Sequence, residues 1–381
     1  MRRNLRNIIF IIIITNLGGL NCKEVYKPHA IQNNPNLLVV DGIIISGNDS
    51  SVITLSRTRN LADTAVSVKE LNAQVTVVGA TGVEYPLYDQ GNGRYVTDQL
   101  QLDTSQQYQL KVITYDGNEF RSEFNKVRTS PPIDSVYWNQ DSSYNVHVYL
   151  NTHDPTNNTR YYRWEYVETW EYRSAYPSFL QMVNDTPVFR SLTEQIYRCY
   201  QTQSSSSIDV ANTSRLSSDI VNRYEINSVL SGSEKITAIY SNLVKQYAIT
   251  AEAFDFWQNL KKNTEQLGSL FDLQPFTELG NIHCLNNPSV KCIGYISFTT
   301  LQEKRIFISK NEVYPWNYYP YYGNCVQDTI QPSILSQFFP PGGPHFYSLI
   351  GTDNGLYIFS SNLCVDCTDH GGTTIKPPYW P

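Results

Sequence analysis

Charge is scarce in this chain. Lys, Arg, Asp and Glu make up 17% of its 381 residues, against about 25% in ordinary globular domains. The balance of 29 basic and 35 acidic residues leaves a net charge of −6, so the basic footprint of nucleic-acid binding is missing. The bulk of Ala, Glu, Lys and Leu that marks a coiled coil is missing too. No apolar run approaches the ~20 residues of a membrane helix. There is no Gly-x-Ser-x-Gly elbow, no His-Glu-x-x-His pair, no phosphate-cradling glycine loop and no calcium-loop spacing. The six histidines, His29, His147, His153, His283, His345 and His370, form no short-range ligand pattern. The sequence therefore supplies no positive ground for an enzyme, a cofactor or a metal site.

What it has is aromatic. There are 28 Tyr, 15 Phe and 6 Trp, and 41% of residues are apolar, which excludes a disordered chain. The length suits two to three domains with real cores.

The first 21 residues read as an export signal. Arg2, Arg3 and Arg6 precede a short apolar run, Ile8 to Ile14, and then small and polar residues lead to Cys22. That cysteine gives the segment a resemblance to a bacterial lipoprotein signal, with Cys22 as the lipid-attachment residue and 22–36 as a tether. A lipid there would anchor the chain to a membrane without a span.

Setting Cys22 aside leaves Cys199, Cys284, Cys292, Cys325, Cys364 and Cys367. Six cysteines in an exported chain suggest up to three disulfides. Cys284 and Cys292 flank an Asn286-Asn287-Pro288 turn, so a bond across a hairpin is expected there. Cys364-Val365-Asp366-Cys367 invites a zinc reading, but the second ligand pair is missing. Disulfides within the motif, or to Cys199 and Cys325, are the reading preferred in an oxidising compartment.

The fold class is mostly β, with two β-sandwich domains of immunoglobulin-like or transthyretin-like kind. Residues 37–130 carry about seven short alternating runs separated by turns such as Gln90-Gly91-Asn92-Gly93. Thr129-Ser130-Pro131-Pro132 marks the boundary. Residues 131–381 form the second domain, with one amphipathic helix near 250–267, where Ala253, Phe256, Trp257, Leu260 and Leu267 share a face.

Within it, Arg160 to Arg173 alternates with period two. Tyr162, Trp164, Tyr166, Glu168, Trp170 and Tyr172 lie on one face, and Arg163, Glu165, Glu171 and Arg173 lie on the other. The aromatic face is expected to be core, with a sugar-stacking platform as the alternative. The charged face is expected to be solvated.

Long aromatic loops follow. Tyr314, Trp316, Tyr318, Tyr319, Tyr321 and Tyr322 crowd one stretch, and Phe338 to Tyr347 is a second. Prolines keep both out of strands. The rings suit a partner or ligand interface, or a lid sealing the sheet.

Several stretches together resemble one family, the Bacteroidota outer-membrane lipoproteins grouped as domain of unknown function 4249. They include Leu38-Val39-Val40-Asp41-Gly42, Arg198-Cys199-Tyr200, Gly268 to Pro275, Gly280-Asn281-Ile282, Gly294-Tyr295-Ile296-Ser297, Lys304 to Ile308, and the tail from Cys364 to Trp380. The resemblance brings no catalytic residues. It implies a non-enzymatic envelope lipoprotein, periplasmic or at the cell surface, that acts as an accessory binding subunit. The partner it implies is a TonB-dependent outer-membrane transporter in nutrient uptake, or another envelope protein. A glycan- or surface-binding adhesin is the alternative, and an enzyme with a dispersed site comes after it.

Overall fold

The computed structural model describes residues 36–59, 68–265, 279–318, 325–342 and 346–381. The expected signal, Cys22, nearly all of the tether, and Tyr319, Tyr321 and Tyr322 lie outside the described residues.

The chain is mostly β. Its first strands are short alternating runs punctuated by turns: β1 (Leu38–Ile45), β2 (Ser50–Arg57), β3 (Val68–Lys69), β4 (Gln74–Gly79), β5 (Glu84–Asp89), β6 (Arg94–Gln99), β7 (Gln107–Ile113), β8 (Glu119–Ser122) and β9 (Asn125–Lys126). In β4 the alternation is complete, with Val75 and Val77 inside and their neighbours facing out. Inward residues such as Leu38, Ile53, Leu55, Leu110 and Phe120 make one continuous core.

The second region begins after the prolines with β10 (Ile133–Gln140), β11 (Val146–His153) and the long β12 (Tyr161–Arg173). The hairpin β13 (Leu180–Val183) and β14 (Thr186–Phe189) follows, then β15 (Arg198–Ser204), β16 (Asp209–Asn212), β17 (Ile220–Val229) and β18 (Ile239–Ala248). The long helix α1 (Ala251–Glu265) starts where the Thr250 hydroxyl accepts the Ala253 amide at 3.1 Å. It buries Phe254, Phe256 and Trp257 against Ile43 and Ile45 of β1 and Tyr247 of β18, so it mortars the two β regions together.

The chain then returns to the first sheet with β19 (Ile282–Cys284), β20 (Cys292–Ile293) and β21 (Phe298–Thr299). β19 pairs with β8, while β20 and β21 run parallel to β1. The order of the twelve-stranded sheet is therefore β19-β8-β7-β4-β5-β6-β2-β1-β20, with the remaining strands attached at the side. Its two ends meet at a Gly280–Gly294 bridge, leaving a nearly closed, barrel-like sheet. Glycine is required at this seam. A Cβ on Gly280 would collide with the Gly294 carbonyl, and one on Gly294 with the Val40 carbonyl. The first sheet is thus not confined to 37–130. Closing its open edges, which would otherwise invite aggregation, takes strands from beyond residue 280.

β22 (Leu301–Ser309) completes a sheet of order β15-β12-β18-β22, which shares a core with the sheet β10-β11-β17. The aromatic face of β12 points into that core, where Tyr162 stacks on Trp164 at 5.5 Å and Trp164 donates to Gln246 Oε1 at 2.9 Å. The opposite face departs from expectation. Arg163 and Glu165 are partly exposed, but Glu171 is buried. The C-terminal tail covers it: Trp380 Nε1 donates to Glu171 Oε2 at 3.4 Å, and the Tyr379 hydroxyl meets Thr169 Oγ1 at 2.9 Å.

A small third sheet, β23 (Asp328–Ile330), β25 (Leu356–Ser361) and β24 (Tyr347–Asp353), packs beside the β13–β14 hairpin over Leu180, Phe339, Leu349 and Phe359.

Two disulfides staple this end, Cys199–Cys367 and Cys325–Cys364. The two cysteines of the C-x-x-C motif therefore bond to different partners, which leaves no thiolate there for zinc. Cys284 and Cys292 are buried free thiols, so the expected hairpin bond is not made. Sheet pairing sets their positions instead. The loop after Cys284 is held toward the β7–β8 turn, where Asn286 accepts the Glu119 amide at 3.0 Å and donates to Gly117 O at 2.8 Å.

Candidate partner-binding surface

The aromatic loop grows from the end of β22. Ser309 and Glu312 form a capping box that turns the chain, with the Ser309 amide donating to Glu312 Oε2 at 2.7 Å. Trp316 then drops into the core, 5% exposed, and its Nε1 donates to Ser233 O at 3.0 Å. The Tyr318 hydroxyl donates to Glu234 Oε1 at 3.0 Å. The loop lies so close to the β17–β18 connection that a Cβ on Gly232 would stand 2.9 Å from Asn317 O, and Gly232 has φ +77°. Glycine alone satisfies both conditions.

Beneath this contact Lys235 reaches Glu168 Oε2 at 2.7 Å and sits 5.1 Å from the Trp170 ring. Tyr314, by contrast, is 88% exposed, and Leu230 at the end of β17 is exposed as well. The structure thus divides the expected site. Trp316 is an anchor in the core and is withdrawn from the binding surface, because its indole fills the space above Ser233. Tyr318 is half-buried against Glu234. Among the described rings of the loop, Tyr314 faces solvent.

The second aromatic stretch divides in the same way. Phe339 is buried and Phe338 packs on Phe359 at 5.2 Å, while Phe346 is exposed. A further apolar surface went unread in the sequence. Phe189 is 83% exposed, Leu192 is 95% exposed, and Phe179 is exposed on the same hairpin. Its signal was the Asn184-Asp185 pair. Both residues have positive φ, 48° and 62°, as a two-residue type I′ hairpin turn demands.

Buried phenols line the core behind the loop. Burial pushes Tyr166 and Tyr172 up to about 12 and Tyr240 well above its ordinary value. They stay protonated near neutral pH, and two of them donate hydrogen bonds, Tyr172 to Cys367 O at 2.8 Å and Tyr240 to Glu168 Oε2 at 3.2 Å.

Two open clefts flank the interface of the β regions. One, of about 650 Å³, lies between Thr129–Pro132, the loop after Asp154 and the start of α1. Burial works against the Asp154 carboxylate, but hydrogen bonds from Thr156 and from the amides of Thr159, Thr156 and Asn158 hold it down to about 2. That carboxylate therefore builds its own loop. The other cleft, of about 640 Å³, lies beside β19 and β20. Among the described residues no three His, Cys, Asp or Glu side chains are grouped to hold a metal ion.

A family model described as "Domain of unknown function (DUF4249)" matches residues 23–305. No curated protein matches the chain significantly. Among solved structures, the chain is similar to one titled "Cytokine receptor complex - Crystal form 2", at 10% identity over 55% of this chain and 90% of that one, with a TM-score of 0.17. It is also similar to chitinase ChiA74 from Bacillus thuringiensis, at 10% identity over 51% of this chain and 28% of that one, with a TM-score of 0.13. Scores this low carry no argument about fold or activity.

Proposed function

The chain belongs to the family described as domain of unknown function DUF4249, and from that premise we propose that it is a non-enzymatic lipoprotein of the Bacteroidota outer membrane. In this reading Cys22 carries the lipid, and the folded part is an accessory binding subunit of a TonB-dependent transporter. The two sheets that share the β12 core are read as a sandwich of immunoglobulin-like or transthyretin-like kind.

The observation that carries the binding role is Tyr314. It is held out in solvent on a loop whose neighbour Trp316 is locked into the core. A pre-positioned aromatic side chain loses little entropy on binding, and aromatic anchors dominate interface energetics. The inner ring face of β12 lies in the core, so it supplies no platform for stacking sugars.

The test is co-purification from detergent-solubilised membranes. A TonB-dependent transporter should accompany the wild-type chain and be depleted about thirtyfold with Tyr314→Ala, the effect of removing an anchor worth ~2 kcal/mol. Equal recovery of the transporter with both chains, or its absence from both, would sink the proposal. Cys22→Ala should release the protein from washed membranes.

A further inference from the structure

The outer face of the β15-β12-β18-β22 sheet carries a slot with walls from every strand. Register sets Thr202, Thr169, Ser241 and Phe307 in one row across the four strands, and Tyr200 faces Glu171 in the next. Tyr379 and Trp380 fill the slot. The Trp380 indole makes T-shaped contacts with Tyr200 at 5.4 Å and Phe307 at 5.8 Å, and its Nε1 donates to Glu171 Oε2. The Tyr379 ring lies 3.7 Å from the Arg305 guanidinium, with its hydroxyl on Thr169 Oγ1.

The walls are satisfied without these two rings. Glu171 meets the guanidinium groups of Arg198 at 3.2 Å and Arg173 at 3.5 Å. Arg305 donates to Ser241 Oγ at 2.9 Å, and Thr169 Oγ1 bonds Thr202 Oγ1 at 3.1 Å. Lifting the tail therefore strands no charge in the sheet. The tail is held lightly along its backbone. Among the described residues it meets the sheet at one bridge, where Tyr200 and Thr373 exchange amide hydrogen bonds of 2.8 and 2.9 Å. Pro377 and Pro378 keep the rest out of the ladder. The Cys199–Cys367 disulfide fixes the chain just before the tail, and Gly371, at φ +85°, turns it toward the slot.

We propose that this slot is a peptide-binding site held shut in cis by the chain's own Tyr379-Trp380 pair, and that its ligand is an extended partner peptide presenting an adjacent tyrosine and tryptophan. The seated tail defines that chemistry: an indole whose N–H meets a carboxylate between two rings, beside a phenol under a guanidinium. The partner's pair replaces the tail's contact for contact. Tethering keeps the tail at an effective concentration of about millimolar or more, so the strap admits only a partner that outcompetes it. The Tyr314 loop rests on the β17–β18 connection, so the two surfaces can be altered separately.

The probe is a synthetic, fluorescently labelled peptide of residues 373–381. The full-length double variant Tyr379→Ala with Trp380→Ala should bind it saturably. The wild-type chain should bind it about a hundredfold more weakly, because its own tail competes. A peptide carrying Trp380→Ala should bind the double variant about thirtyfold more weakly than the native sequence does. No binding by the folded double variant, or equal binding by it and the wild type, would overturn the proposal. Dimerisation of the wild type that the double variant loses would do so too, by giving the slot to the tail of a second copy. If the double variant does not fold, hydrogen exchange of the wild-type chain decides. The Tyr200 and Thr373 amides should exchange about a hundredfold faster than those of central β12, through local opening. A tail that exchanges only with global unfolding is part of the fixed fold, and the proposal then fails.

Discussion

The Lys235 ammonium sits 2.7 Å from the Glu168 carboxylate, directly behind the turn on which Trp316 and Tyr318 rest. Glu168 is buried, and the Tyr240 hydroxyl also donates to it. Removing one partner of such a pair strands a charge in the core, which costs about 3–5 kcal/mol. Lys235→Met should therefore lower unfolding free energy by roughly that amount in denaturant titration. Adding Glu168→Gln to it should recover part of the loss, because the stranded charge is gone. A double variant as unstable as the single one would argue against this account.

The neighbours Trp316 and Tyr314 should behave as opposites. Trp316→Ala empties a core site and leaves Ser233 O without its donor, so a loss of about 3–5 kcal/mol is expected. Tyr314→Ala touches an exposed ring and should change stability by less than about 0.5 kcal/mol. Thermal melts of the two variants check this directly. A large loss with Tyr314→Ala would mean that the ring is packed and not free.

Much of this was legible in the sequence because the signal was periodic. The alternation of Tyr162, Trp164, Tyr166, Glu168, Trp170 and Tyr172 marks the inward face of β12. The spacing of Phe256, Trp257 and Leu260 marks the buried face of α1. What period two could not reveal was a second cover. Glu171 reads as solvated because nothing near it in sequence hides it, yet Trp380, more than 200 residues on, lies over it. Closure of the first sheet by β19 and β20 was hidden for the same reason. Long-range pairing leaves little local trace beyond glycines such as Gly280 and Gly294, whose cause is visible only once the strands meet. The cysteine count limited the pairings but could not choose among them. The aromatic loop was legible as unusual, but which rings turn inward depended on Ser233 and Glu234, some 80 residues away.

The two disulfides should differ in worth. Cys199–Cys367 spans 168 residues and Cys325–Cys364 spans 39. Constraint of the unfolded chain grows with the logarithm of loop length, so the longer closure should stabilise more, by about 1 kcal/mol. Paired Cys→Ala variants of each bond, compared by denaturant unfolding, measure the difference. The longer bond also pins the segment leading to Tyr379 and Trp380, which adds to the effect. A shorter bond that proved the more valuable would show that the tail is held without Cys367.

Stability should also respond to pH through His147. Its two ring nitrogens face carboxylates, Glu225 Oε1 at 2.8 Å and Asp141 Oδ2 at 3.1 Å. The ring lies against Tyr149, which also carries the Arg223 guanidinium 4.9 Å from its ring centre. The hydrogen bond to Glu225, then that to Asp141, raise the His147 pKa above its ordinary 6.5. A raised histidine contributes stability that is complete below about pH 6.5 and is lost as pH climbs through the folded value. Asp141 works in the opposite sense. The His147 hydrogen bond, followed by that of Asn145, holds its carboxyl down to about 2. Its contribution is present above about pH 4 and fades as pH falls toward 2. The two together favour a plateau between about pH 4 and 6.5. His153, raised by Asp134, adds to the alkaline decline, so His147→Gln should shrink the difference in thermal midpoint between about pH 5.5 and 8.5 without abolishing it. An NMR titration of the His147 ring should give a midpoint above 6.5, the ordinary value. A midpoint at or below that value, with an unchanged difference in the variant, would show that the two carboxylates do not hold the proton.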